Sequence, residues 1–375
     1  MKTFTDLIRE VQDKGLCHHC GGCVAFCSAM NYGALESGED GRPRYRDKDK
    51  CIECGICYSI CPEIGDLEEE TKNLVSWSGP MGRIQGSAVA RATDPEVRAG
   101  ATDGGVVTAL LLYLFNHGDI DAAIVSKKAG PFQRLPLLAR SRADILAAAG
   151  FHFDTLSSIT HFSNLYSTYS PSIVELKDVA RESLTKVAFV GTPCQINTLR
   201  RMEVLGVVPS DTITIHFGLF CAGNFQFGQE ERRRLEKIGN FKWSEVYKVN
   251  VKEELLIHLR NKEIRHIPLE ELTFMRRYAC RFCDDYAAEF ADLSFGGLGA
   301  PEGWTTVLIR SPKGQVLLSK ALRAAIEMFE YKKNPLLSKT VMAKALEWSA
   351  KKKQSGMAHF QELQKQERGP ESLPL

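Results

Sequence analysis

The chain has 375 residues, 44% hydrophobic and 25% charged, with a formal net charge of +2 at pH 7. That length exceeds one average domain and supports a sizeable core with a small appended module. The near-neutral balance, without interleaved basic and aromatic residues, excludes a nucleic-acid binder as the first expectation. The longest apolar stretch, Val106 to Phe115, is too short to span a bilayer, so no transmembrane segment is expected. Met-Lys-Thr-Phe-Thr-Asp lacks the apolar core of a signal peptide, which makes the cytoplasm the expected location, with a peripheral seat on a membrane complex left open. Twelve cysteines in such a chain read as metal ligands or redox groups and not as disulfides.

Eight of the twelve fall before residue 65. Cys17, Cys20, Cys23 and Cys27 make C-x2-C-x2-C-x3-C; Cys51, Cys54, Cys57 and Cys61 repeat it, followed by Pro62. Three cysteines at i, i+3 and i+6 of a tight loop place three thiolates on one cube face, and the fourth comes from elsewhere. In two-cluster ferredoxins the fourth cysteine of each run ligates the other cluster. Cys17, Cys20, Cys23 and Cys61 are therefore assigned to a first 4Fe-4S cluster, and Cys27, Cys51, Cys54 and Cys57 to a second. A zinc module would show two C-x2-C pairs without the third and fourth cysteines. Gly21, Gly22 and Gly55 are expected to relieve crowding between loop backbone and cube. Ser28 stands where the first run would normally have proline.

The acidic stretch Gly65–Thr71 and the Gly, Ser and Pro of Ser76–Gly86 read as connector. Beyond them the pattern predicts a helix over Val106–Asn116 and strands over Asp121–Ser126 and Lys186–Val190. A helix over Gln195–Val204, a strand over Thr212–Phe220 and a charged helix over Asn224–Ile238 come next. Val246–Val251 and Leu255–Arg260 alternate as a hairpin does; Thr305–Arg310 reads as a strand and Gln315–Phe329 as an amphipathic helix. Strands alternating with helices indicate an α/β core. The expected organisation is a bacterial-type two-cluster ferredoxin domain (1–75), an α/β domain (76–335), and a C-terminal helix with a frayed tail (336–375). The module is expected to be a separate unit.

Cys194, Cys221, Cys280 and Cys283 remain, one cluster's worth of thiols. Cys280 and Cys283 form C-x2-C, while Cys194 and Cys221 each follow a strand, at the edge where open α/β sheets build sites. Burial as small hydrophobes is the competing reading for these two. Thr102, Asp103, Gly104, Gly105 and Thr108 open a helix, where free N–H groups and hydroxyls suit an anion. A plain turn explains the same residues. Neither G-x-G-x-x-G after a strand nor G-x-x-x-x-G-K-[ST] occurs.

The segments G-A-T-D-G-G-V-V-T-A-L-L-L-Y-L (100–114), V-G-T-P-C-Q-I (190–196), G-L-F-C-A-G-N-F (218–225), C-R-F-C-D-D-Y-A-A-E-F-A-D-L-S-F-G-G-L-G (280–299) and G-W-T-T-V (303–307) resemble the coenzyme F420 hydrogenase/dehydrogenase beta-subunit family. That family includes flavin subunits of deazaflavin-reducing hydrogenases, deazaflavin-linked formate dehydrogenases and the chlorophyll-cycle hydroxymethyl-chlorophyll reductases. The resemblance implies an α/β flavin-binding domain with FAD at Thr102–Thr108 and near Gly191 and Thr192. It also implies a third 4Fe-4S cluster on Cys194, Cys221, Cys280 and Cys283 beside the flavin. The implied function is a flavin iron–sulfur oxidoreductase subunit passing electrons between a hydride carrier and a partner redox protein. The partner would be a hydrogenase, formate dehydrogenase, heterodisulfide-reductase-like or membrane dehydrogenase module.

Members that use the deazaflavin usually show Gly-Ser-Lys/Arg-Tyr after the segment matching Ile145–Gly150. Here Phe151-His152-Phe153-Asp154 follows, and the nearest similar stretch, Tyr166–Pro171, has Thr168 where the base would stand. The carrier is therefore left between coenzyme F420, NAD(P)H and none. His152 and His161 are candidate flavin neighbours, with an ordinary surface or core role as the plainer reading. Clusters move single electrons while these carriers move hydride, and flavin joins the two chemistries. Each oxidised cluster with four thiolates carries −2, so three would bring the chain to about −4 and favour a basic partner surface. Two rival classes stand beside this one: a non-catalytic polyferredoxin-like electron wire, and a reductase acting directly on a bulky organic substrate.

Overall fold

The computed structural model describes residues 1–130, 133–150, 170–207, 209–225, 228–330 and 334–368. His152, His161 and Thr168 lie outside the described residues.

Two short strands, β1 (Leu35–Ser37) and β2 (Pro43–Tyr45), pair antiparallel in the N-terminal module. The large sheet takes β3 (Gly86–Ala92), β4 (Ala122–Gly130), β5 (Gln133–Ala139), β6 (Val187–Gly191) and β7 (Ile213–Leu219). A separate antiparallel sheet is made by β8 (Val246–Val251), β9 (Glu254–Leu259) and β10 (Ile264–Pro268). Then β11 (Leu293–Gly296), β12 (Thr305–Ile309) and β13 (Ile326–Met328) complete the large sheet in the order β13-β3-β12-β11-β7-β6-β4-β5. Its centre, β4, β6, β7 and β11, is parallel, and the strands outside that centre are antiparallel.

Alternation along the strands divides the core into two layers. Ala123, Val125, Ala188 and Phe217 face the helices Val106–Asn116 and Pro312–Ala321. Ala122, Ile124, Val187 and Phe189 face the opposite way, toward the helix Pro193–Val204. Ala25, Phe26 and Ile60 of the N-terminal module belong to that second layer. The module, which has a core of its own around Phe4, Leu7, Val11 and Leu35, thus also packs on the sheet domain. Arg201 reinforces the junction by donating to the carbonyl oxygens of Cys61 (3.0 Å) and Ile64.

Three sequence expectations need correction. Gly65–Thr71 is not connector: a short helix, Glu68–Leu74, buries Thr71, and its three leading glutamates complement the helix dipole. The helix expected over Gln315–Phe329 stops at Ala321; Arg323 takes a left-handed φ of 68° and Ile326–Met328 turns back as β13. The apolar run reads as helical, but β3 offers an edge that Ile326 closes opposite Ala92. The charged helix begins at Gln229, and Asn224 and Phe225 precede it. The last helix, Leu337–Arg368, has 32 residues and is about 48 Å long. It covers Val89, packs Trp348 on Tyr286, and ends with Phe360 against Phe282. No helix among the described residues is long and apolar enough to cross a membrane.

A buried ionic cluster holds the second layer to the sheet. Asp292 lies 3.3 Å from Arg200 and accepts the His216 backbone N–H at 2.8 Å, while Glu203 lies 2.8 Å from Arg200. Burial opposes the Asp292 charge, but His216 and Arg200 outweigh it and hold the carboxyl well below its usual range. Asp292→Asn should cost about 2–3 kcal/mol in chemical denaturation, because the buried Arg200 guanidinium loses one of its two carboxylates and keeps only Glu203. The sign with pH follows from a depressed pKa. The stabilisation is complete above about pH 4 and is lost as the pH falls from there toward the folded value. At the module junction, a Cβ on Gly22 would lie 2.2 Å from Thr198 Cγ2, whereas one on Gly65 meets nothing within 4 Å. Gly22→Ala should therefore lower stability by about 1–3 kcal/mol. Gly65→Ala should stay within about 0.5 kcal/mol in the same denaturation assay.

Candidate functional site

The eight N-terminal cysteines gather into the two sets that their spacing predicts. Cys17, Cys20, Cys23 and Cys61 line one enclosed cavity with Leu7, Val11 and Ile60. Cys27, Cys51, Cys54 and Cys57 line a second with Phe4, Phe26 and Leu35. Cys57 borders both. Each run uses the same backbone device: His19 and Glu53, two residues into their runs, are left-handed (φ 52° and 54°), as are Gly21 and Gly55 two residues later (φ 86° and 73°). The turns deliver Cys23 and Cys57 to short helices. Ser28 needs no proline because its helix runs on to Ala29, while the second helix ends at Ser59 ahead of Pro62.

The glycines also give room to protein neighbours. A Cβ on Gly21 would meet Val174 at 3.0 Å and Pro171 at 3.1 Å, and one on Gly55 would meet the Lys2 carbonyl oxygen at 2.7 Å. They admit the rest of the protein.

The third set forms at the carboxyl ends of adjacent parallel strands. Cys194 sits in the first turn of Pro193–Val204 after β6, and Cys221 lies just past β7. Its backbone N–H donates to Tyr286 O at 2.8 Å, which brings in the C-x2-C loop. Cys283 borders one cavity with Cys280 and another with Cys194. Thr192 Oγ1 lies 3.4 Å from Cys194 Sγ, and the Asn224 N–H donates to Cys280 Sγ at 3.3 Å. Burial pushes Cys17, Cys57 and Cys283 up to about 12. As free thiols they stay protonated, so a stable thiolate here needs a metal partner. No group of three or more His, Cys, Asp or Glu among the described residues gathers about a single-ion position.

A cavity of about 270 Å³ opens where the helix Val106–Asn116 starts, against the ends of β4, β6, β7 and β11. Thr102, Asp103, Gly105, Thr108, Gly191 and Thr192 line it, six of the seven residues read from the sequence. Gly105 takes φ 73°, capping the helix with its N–H groups toward the cavity mouth. Gly104 is not on the wall. Its N–H donates to Thr305 Oγ1 at 2.9 Å, and a Cβ there would strike the Ala90 carbonyl oxygen at 2.7 Å, so it fastens the turn to β3 and β12.

Two features escape sequence reading. Arg134 of β5 reaches the cavity wall and donates to Ser126 Oγ and to the Gly150 and Ala148 carbonyl oxygens. Burial alone pushes it down to about 10, and it has no carboxylate within ion-pair distance among the described residues. A lone arginine in the apolar run 133–139 was the available signal. The β8–β9 hairpin also closes on the Thr102–Asp103 turn, with Lys248 donating to Thr102 O (2.8 Å) and Asn250 to Asp103 Oδ1 (3.1 Å).

Comparisons with known proteins agree with this architecture. Residues 87–161 match the N-terminal part, and residues 184–334 the C-terminal part, of the coenzyme F420 hydrogenase/dehydrogenase beta-subunit family; residues 9–74 match a 4Fe-4S dicluster domain. The coenzyme F420 hydrogenase subunit beta of Methanothermobacter thermautotrophicus is 31% identical over 66% of this chain and 84% of its own. A subunit of the F(420)H(2) dehydrogenase of Methanosarcina mazei is 26% identical over 96% of this chain and 95% of its own. A chain of the F420-reducing [NiFe] hydrogenase complex from Methanosarcina barkeri superposes with a TM-score of 0.64 at 27% identity, covering 76% of this chain and 94% of that one. The chain belongs to the coenzyme F420 hydrogenase/dehydrogenase beta-subunit family and carries an N-terminal 4Fe-4S dicluster domain in front of it.

Proposed function

We propose that this protein passes electrons between a hydride carrier and a partner redox protein, holding FAD in the 270 Å³ cavity and three 4Fe-4S clusters on its twelve cysteines. One observation carries the reading: the four sites form an unbroken series. Thr192 lines the cavity and lies 3.4 Å from Cys194 Sγ. Thr198 Oγ1 donates to Cys194 O at 2.9 Å and lies 3.6 Å from Cys20 Sγ. Cys57 then joins the first N-terminal set to the second. The order is cavity, third set, first set, second set. Ile52, beside Cys51, is 61% exposed and brings the far end of that series to the surface, where a partner docks.

The cavity suits FAD by its chemistry. A helix start with Gly105 and the hydroxyls of Thr102 and Thr108 offer donors to a pyrophosphate, and Arg134 supplies a positive charge. When bound, flavin would exchange hydride on one side and single electrons on the other. The residues around it orient the ring, exclude water through Leu111, Val125 and Ile145, and abut Cys194. Relatives named for coenzyme F420 favour the deazaflavin over NAD(P)H as the carrier. They also favour a place within a larger oxidoreductase complex.

Protein purified without oxygen should contain one FAD and about twelve irons, and Cys283→Ser should bring the iron to about eight. About eight irons in both proteins would remove the third cluster from the proposal. Thr108→Val keeps the side-chain volume and removes one hydroxyl, and should weaken FAD about 10- to 100-fold with the iron unchanged, the worth of a hydrogen bond to a charged group. The full FAD affinity in that variant would clear the helix start of the role. Flavin bleaching by reduced coenzyme F420 and not by NADH or NADPH would fix the carrier; a chain that holds iron but no flavin would instead be an electron wire.

A further inference from the structure

The proposed third cluster has a buried cation that neither the family resemblance nor the cysteine pattern points to. Lys352 lies on the helix Leu337–Arg368, far along the chain from any of the four thiols. Its ammonium is turned inward and donates to the carbonyl oxygens of Cys221 (2.7 Å) and Asp285 (2.8 Å). Those two acceptors flank the set: one belongs to a cysteine of the set, the other lies two residues past Cys283. No carboxylate lies within ion-pair distance of Lys352 among the described residues.

The helix is fitted to bring that lysine close. Gly356, one turn further along, packs on the C-x2-C loop so tightly that a Cβ would lie 2.8 Å from the Phe282 carbonyl oxygen. A second cation approaches from the other side. Arg276 shares a cavity wall with Cys280, Cys283 and Lys352. By contrast, the strongest charges acting on Cys27 and Cys57 of the outermost set are those of their sister thiols.

We infer that Lys352, seconded by Arg276, is the electrostatic counterweight of the third cluster and raises its reduction potential. The physical reason is a charge balance. A 4Fe-4S core with four thiolates carries −2 when oxidised and −3 when reduced by one electron. A fixed positive charge beside it stabilises the reduced form by one additional unit of Coulomb attraction, strengthened by the low dielectric of a buried site. Two uncharged carbonyl oxygens hold the ammonium in place, so that it faces the thiols of the set with the single carboxyl of Asp285 beside it. A carboxylate in their place would cancel the effect. Lys352 is thus a tuning residue. It touches neither flavin nor hydride carrier, and it sets how readily the cluster next to the flavin accepts an electron.

The inference rests on the third-cluster reading, whose failure shows separately as about eight irons in the unsubstituted protein. The test is a redox titration of the full-length, anaerobically purified protein, followed by electron paramagnetic resonance, in Lys352→Gln and Lys352→Arg. Glutamine offers N–H donors to the same carbonyls without charge, and arginine keeps the charge. In Lys352→Gln, with its iron retained, one of the three cluster midpoints should fall. The drop should correspond to at least a tenfold loss in the equilibrium constant for its one-electron reduction, about 59 mV. The other two midpoints should hold, and Lys352→Arg should restore the first. Unchanged midpoints in Lys352→Gln, or an equal fall in Lys352→Arg, would overturn the inference and leave Lys352 as a structural pin. Should Lys352→Gln fail to hold the third cluster, Arg276→Gln replaces it. The same fall is expected there, and an unchanged midpoint overturns the inference equally.

Discussion

The packing of one helix, Pro193–Val204, between the large sheet and the N-terminal module is the constraint on which the rest of the structure depends. Residues three, four and seven apart share a helix face. Cys194, Thr198 and Arg201 therefore look toward the module, where Thr198 lies 3.6 Å from Cys20 Sγ and Arg201 holds the carbonyls that follow the last cysteine of the second run. Ile196, Leu199 and Arg200 look elsewhere, the first two into the apolar layer under the sheet and the third onto Asp292. One element thus places a thiol of the third set, touches the first set, and anchors both to β6 and β7. Moving it by a fraction of an ångström would alter all three relations together.

Charge is the second constraint. Twelve thiols collected in a chain of formal charge +2 give a molecule whose interior becomes strongly negative once the thiols are deprotonated by metal. The structure answers unevenly. At the outermost set the main charges are the thiols themselves. At the first set Arg277 and Arg42 act on Cys17, while Glu63 works the opposite way on Cys20 and Cys61. At the third set two cations converge. The three sets share a donor chemistry but stand in three different electrostatic settings, and clusters bound there would differ in potential for that reason.

Much of this was legible in the sequence, for identifiable reasons. The doubled cysteine run suggests its own cross-connection, because three thiols of a tight loop cannot close a cube without a fourth from elsewhere, and Cys61 does line a cavity with the first run and Cys27 one with the second. The helix at Val106–Asn116 and the strands behind Cys194 and Cys221 were legible because each is a long apolar run bounded by turn residues. What escaped was whatever depends on partners distant in sequence. β13 reads as helix until β3 is there to pair with it. Arg134 carries no motif, and Lys352 is one lysine in the run Lys351-Lys352-Lys353, on a helix whose charged residues look like a solvated face. Gly104 and Gly105 are identical letters with opposite duties, one turned into the sheet and the other into the cavity.

The same long-range packing decides how the N-terminal module relates to the rest. A ferredoxin domain tethered by a linker would present a polar surface to its neighbour, and its distance to any other redox site would be set by diffusion. Here Ala25, Phe26 and Ile60 are buried with Ile124 and Phe189 of the sheet, and Gly22 leaves no room for a side chain against Thr198. Detaching residues 1–75 would expose that apolar layer and strip Arg201 of its carbonyl partners. The module therefore keeps its own core and joins the sheet domain's second layer through Ala25, Phe26 and Ile60. That packing places Thr198 between Cys20 and Cys194. The proposed relay of single electrons would draw on such a built-in spacing, because transfer falls steeply with each ångström of separation.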